Sequence, residues 1–170
     1  MAMPMRLIVI LLLGVAGTIT HQRASVWRSE LSLWTDATRA SPQKPRPWIN
    51  LGLAMEMAGD MDGALLAHQT ALALSYQPRL TQYQQRFSQL ASETNIARIL
   101  AQTGREEAAL RMLNDVITKA PLFPHAIYNR GVLLARTGHC QEGAREAQMA
   151  VALDASFQEI GCAPASPSSR

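Results

Sequence analysis

Apolar residues recur at three- and four-residue spacing along most of the chain, and small residues fall between them at matching points. Trp27, Leu31 and Trp34, continued by Thr38, form one such stripe, the spacing that one face of a helix presents to a core. Leu80, Tyr83, Phe87 and Leu90 form another, running on toward Thr94 and Ala97. Glycines punctuate the pattern: Gly104 and Gly138 lie 34 positions apart, and Gly59 falls into the same frame once the 11 residues 79–89 are set aside. Each suits the left-handed residue that ends a helix. Gly52 and Gly131 let two helices approach closely, and Ala64, Ala71, Ala109 and Ala150 keep the facing helices thin. Asn50, Asn95 and Asn129 share one repeat position, where a hydrogen-bonding structural role is expected before a ligand contact. The pattern predicts short helical hairpins that cover their apolar faces by stacking on one another.

The residues at these positions resemble the tetratricopeptide repeat. The unit 45–78 carries Trp48, Leu51, Gly52, Gly59, Ala64 and Ala71, with Met55 and His68 where that family places aromatic residues. The unit 90–123 carries Gly104, Ala109, Leu113 and Pro121, and its first helix is degenerate, with Glu93 at the Trp position. The unit 124–157 carries Ile127, Gly131, Leu134, Gly138, Gly143 and Ala150. The resemblance implies an all-α solenoid of antiparallel helix pairs, about three repeats long, with 23–44 as a capping half-repeat. In that arrangement the stripe from Trp27 to Thr38 packs on the core, although an aromatic ligand face is the alternative. The insertion 79–89 is close to three helical turns, so it preserves helical phase. It predicts one long helix from about Pro78 to Gln102, against a break near Ser88 or Ser92.

The first 22 residues are read as a membrane segment. Residues 7–20 are uncharged and largely apolar, and counting from Met1 reaches the roughly 20 residues that a bilayer core requires. An uncleaved anchor, a cleaved signal peptide ending near Val15-Ala16-Gly17 and a buried core helix all fit. Flanking charges nearly cancel, with Arg6 on one side and Arg23 and Arg28 on the other. A short N-terminus that stays cytoplasmic would put the repeats outside, in the periplasm of a bacterium; signal cleavage would release them. Beyond this segment, Arg23, Trp27, Ser29-Glu30, Leu33-Trp34, Asp36, Ser41-Pro42, Arg46, Trp48 and Asn50-Leu51-Gly52 resemble a junction found in polytopic, mannosyltransferase-like membrane proteins. There it joins the last membrane helix to a tetratricopeptide tail. The resemblance covers roughly residues 5 to 75 and implies an extracytoplasmic tail. The multi-pass catalytic part is missing here, so only the anchor–tail arrangement carries over.

Composition narrows the chemistry. The net charge is +3, aromatics are 5%, and no basic run interleaved with aromatics suggests nucleic acid. His21, His68, His125 and His139 form no metal-ligand or triad pattern, and no phosphate loop or nucleophile elbow occurs. The chain is therefore read as non-enzymatic, with no cofactor and no metal. Cys140 and Cys162 could pair outside the cytoplasm or remain free thiols. The segment 158–170, rich in Gly, Pro and Ser, reads as a disordered tail.

What remains is a binding surface. In this repeat class the first helix of each pair lines the concave face. The expected groove residues are Arg46, Ile49, Leu53 and Glu56, then Thr94, Arg98 and Gln102, then His125, Tyr128, Val132 and Arg136. Apolar contacts beside guanidinium groups suit an extended peptide or protein tail with acidic side chains; ordinary solvated surface is the plainer alternative. Two functions follow: a membrane-tethered adaptor for a protein or peptide partner, or a non-catalytic accessory tail of a membrane glycosylation enzyme. Self-association could also cover the end faces of so short an array.

Overall fold

A computed structural model of the chain describes residues 5–162, apart from the side chains of residues 7, 8, 22, 23 and 25. The described residues form eight α-helices: α1 (Met5–Ser25), α2 (Glu30–Ala40), α3 (Pro45–Met57), α4 (Met61–Ser75), α5 (Gln82–Gln102), α6 (Glu106–Lys119), α7 (Pro124–Arg136) and α8 (Cys140–Leu153). A short 3-10 turn, Val26–Arg28, links α1 to α2. No strand occurs among the described residues.

Local signals set the boundaries. Ser29 starts α2 with a capping box to Ser32, and Thr81 starts α5 with a reciprocal box to Gln84, so each satisfies donors the first turn would leave open. Asp60 accepts from the Gly63 amide at 2.9 Å to open α4. Pro45 and Pro124 stand in the first turns of α3 and α7, where the missing N–H costs nothing. The three framing glycines take φ of +83°, +78° and +95°. Past each, the same bond closes the helix: Asp60 N to Met55 O at 2.9 Å, Arg105 N to Leu100 O at 2.8 Å, His139 N to Leu134 O at 2.9 Å. One glycine-dependent stop is thus repeated three times.

Consecutive helices pack in sequence from α2 to α8, and the first helices of successive pairs touch as well, α3 on α5 and α5 on α7. That second contact curves the stack into a solenoid. The main core lies between the second and third pairs, where Ala97, Ala109, Leu113, Val116 and Leu133 are buried. Small residues bring the backbones together. A Cβ on Gly131 would come within 2.7 Å of the Gly143 carbonyl oxygen, and one on Gly52 would meet the His68 ring at 2.5 Å. His68 fills the space that Gly52 leaves and is itself fully buried.

Several sequence expectations change here. The long helix runs through Ser88 and Ser92 unbroken, but it begins at Gln82 rather than near Pro78, because Thr81 caps it. The stripe on its extension faces water: Tyr83 is 77% exposed and Phe87 44%, whereas Leu90 is buried. The insertion lies beside the α2–α3 turn and the start of α3, and its Tyr83 and Phe87 line a hollow there. Trp27 is exposed too, since it sits in the 3-10 turn ahead of α2, and burial on that stripe is reached only at Thr38. Of the three repeated asparagines, Asn95 makes a side-chain hydrogen bond, accepting from Arg98 Nη2 at 3.3 Å.

Among the described elements, α1 contacts the 3-10 turn alone. Its segment Val9–Arg28 is long and apolar enough to cross a membrane and is not buried against the rest of the chain. Among the described residues no helix packs over it, in contrast to the buried core helix that was one of the three expectations. Residues 1–4 of the expected anchor and 163–170 of the expected tail lie outside the described residues. Residues 158–162 have no regular structure yet are tied down, because Cys162 is bonded to Cys140 with their Cα atoms 5.8 Å apart.

Candidate functional site

The first helices of the three pairs, α3, α5 and α7, lie side by side, and the expected groove residues divide into three groups along them. At the α3 end, Ile49 is buried and Leu53 is partly exposed. Glu56 does not face solvent: its carboxylate is 6% exposed and is gripped by both terminal nitrogens of Arg98, with Arg98 Nη2 to Glu56 Oε1 at 2.8 Å. His68 Nε2 donates to the same carboxylate at 3.0 Å. This triad closes the α3–α5 end of the groove and engages two residues expected to meet a ligand. Thr94 is 1% exposed and also presents no surface. Both corrections share a cause: α5 leans against α3 and α4, so its face there is core.

Between α5 and α7 the groove is open. Arg98, Gln102, Tyr128, Val132 and Arg136 line one hollow of about 320 Å³, with Leu113 and Leu133 among the residues at its lining. Tyr128, Val132 and Arg136 sit at helical spacing on α7, one face turned to the hollow. Arg136 makes no ion pair among the described residues, whereas Arg130 on the same helix holds Glu146 at 2.7 and 2.8 Å and Asn114 at 2.7 Å. Arg136 is therefore the uncommitted cation of the site.

At the far end, aromatic rings gather around His125. Its ring stacks on Phe123 at 5.4 Å and meets Phe157 edge-on at 5.1 Å. Phe157 also packs on Tyr128 at 4.7 Å. Partial burial pushes the His125 pKa down, opposed by the charge of Asp154. The Asp154 carboxyl is held below its ordinary value, mainly by accepting the Ser156 amide, at 2.9 Å.

A second and larger hollow, about 620 Å³, lies where the α5 extension overhangs the α2–α3 turn. Tyr83, Phe87, Lys44, Arg46 and Arg79 line it, so Arg46 belongs here rather than with Arg98 and Arg136. The sequence placed Tyr83 and Phe87 on one helical stripe with Leu90; their exposure follows from an insertion with no repeat opposite. No group of His, Cys, Asp or Glu among the described residues could hold a metal ion.

The chain is similar to solved structures of MamA. The RS-1 ArsTM double mutant matches at 22% identity over 74% of this chain, with a TM-score of 0.50. Two other MamA crystal structures match at 12% identity over 75% and 17% over 79%, with TM-scores of 0.51 and 0.50. The fold is a tetratricopeptide-repeat solenoid. The chain spans 64% of the length of the first MamA chain and 68% of the other two. No protein-family model and no curated protein matches the sequence. The solenoid carries two hollows, one on each side of α5 along the chain: one with the α2–α3 turn and one with α7.

Proposed function

We propose that this chain is a non-catalytic protein-interaction module that holds an extended, carboxylate-bearing peptide segment between α5 and α7, tethered to a membrane by α1. The observation that carries this reading is the convergence of Gln102, Tyr128, Val132 and Arg136 on one hollow. Tyr128 and Val132 offer apolar contact. Arg136 offers a fork that binds a carboxylate bidentately. Arg98 borders the hollow but is held by Glu56, so Arg136 carries the electrostatic part.

Arg136→Glu in the full chain tests the groove. Crosslinking in membranes should capture a partner with the wild type and lose it with the variant; undiminished capture removes the groove reading. The tether is tested separately. The full-length chain should pellet with membranes after alkaline carbonate washing, with its N-terminus intact by mass. A shortened N-terminus would instead identify a cleaved signal and a secreted protein.

A second reading, an accessory tail of a membrane glycosylation enzyme, is favoured by the junction residues. Trp48 Nε1 donates to the Pro42 carbonyl at 2.9 Å, so two residues of the junction pattern fasten α3 to the turn before it. Co-purification with a polytopic glycosyltransferase supports that reading, and a captured partner of any other kind opposes it.

A further inference from the structure

The segment 154–162 packs against the first turns of α7, next to the α5–α7 hollow. It leaves α8 at Asp154, lays Phe157 against His125 and Tyr128, and returns to Cys140 through the disulfide. Tyr128 is shared: one part of its ring meets Phe157, and it also lines the hollow beside Arg136. The segment carries Asp154 and Glu159 and no Lys or Arg. Its chemistry, an aromatic ring flanked by carboxylates, complements a groove whose uncommitted charge is a guanidinium.

We propose that the α7 end of the groove is an aromatic-recognising subsite made by His125 and Tyr128, filled in the resting protein by the chain's own Phe157, and that the partner's peptide carries an aromatic side chain with nearby acidic residues that displaces it. This deepens the groove reading and rests on it. The short connection from α8 at Asp154 and the tether at Cys162 together keep Phe157 at a local concentration on the order of millimolar. A contact with a dissociation constant of about 0.1 mM is therefore enough to hold the subsite closed, and a partner that also engages the rest of the groove displaces the segment. The strap filters ligands by requiring two simultaneous contacts.

The test uses the full chain in detergent and a labelled synthetic peptide of residues 154–161, which omits the cysteine. Fluorescence polarisation should show the Phe157→Ala chain binding this peptide at least about ten-fold more tightly than the wild type, because the tethered competitor has lost its ring. The same peptide with Phe157→Ala should not bind either chain, a control that does not depend on folding of a variant protein. Adding Tyr128→Ala to the Phe157→Ala chain should abolish binding. Equal binding by wild type and Phe157→Ala, equal binding of both peptides, or no binding to the Phe157→Ala chain each overturns the proposal. None of those results restores capture by the Arg136→Glu variant, so the strap can fail while the groove reading stands.

Discussion

Glu56 and Arg98, 42 residues apart in sequence, meet in a two-pronged ion pair that ties the first helix pair to the second. The carboxylate is nearly buried, the guanidinium is 27% exposed, and His68 completes the shell. Removing one partner strands a charge in a site that water reaches poorly. Arg98→Ala should therefore cost about 3 kcal/mol of folding stability, measured by urea unfolding followed by far-UV circular dichroism. Glu56→Gln combined with Arg98→Gln should lose much less than the two single changes added together, because no charge remains stranded. A loss below about 0.5 kcal/mol in Arg98→Ala would mean that solvent screens the pair.

Gly131 and Gly143 face each other across α7 and α8, and a Cβ on either meets backbone rather than a movable side chain. Gly131→Ala should destabilise the chain by about 2–3 kcal/mol through forced separation of the helices. Gly59→Ala meets no neighbour at all, and its cost, about 1 kcal/mol, comes from the left-handed backbone alone. Thermal melts of the two variants separate packing from backbone strain: equal losses would contradict the assignment.

The Thr81–Gln84 box starts the extension that overhangs α3. Thr81→Ala should fray residues 82–86, at a cost of about 1 kcal/mol. Hydrogen exchange should quicken there and stay slow from Leu90 onward, since that part of α5 is buried. Faster exchange along all of α5 would show that the extension is not an independent turn.

Desolvation keeps His125 neutral further into the acid range than an ordinary imidazole, and the rings of Phe157 and Phe123 lie against it. A histidine whose folded pKa lies below its unfolded value favours folding fully above the unfolded value. That contribution declines as pH falls through the unfolded value, about 6.5, toward the folded one. Packing of residues 154–162 should accordingly loosen on mild acidification. The His125 midpoint, read by nuclear magnetic resonance, should lie below the ordinary value in the wild type and rise in Phe157→Ala. An unchanged midpoint in the variant would show that Phe157 does not desolvate the ring.

The sequence by itself determined the repeat. A glycine at one point of a 34-residue frame forces a left-handed stop, and Ala and Gly on the facing helices permit close packing, so helix pairs and their register follow from local physics. The apolar character of α1 was legible for the same reason, since length and composition alone decide whether a helix can span a bilayer. Pairing between Cys140 and Cys162 was left open, because spacing does not fix how a tail returns to its helix. Only the tertiary structure decided which groove residues are available. Glu56, Arg98 and Thr94 sit at positions that a regular repeat would expose, and the lean of α5 on α3 and α4 turns them into an interior ion pair and core. The same packing leaves Tyr83 and Phe87 uncovered and brings Phe157 onto Tyr128. Contacts between residues this far apart depend on the angle at which one hairpin meets the next, and no local pattern of apolar and polar positions encodes that angle.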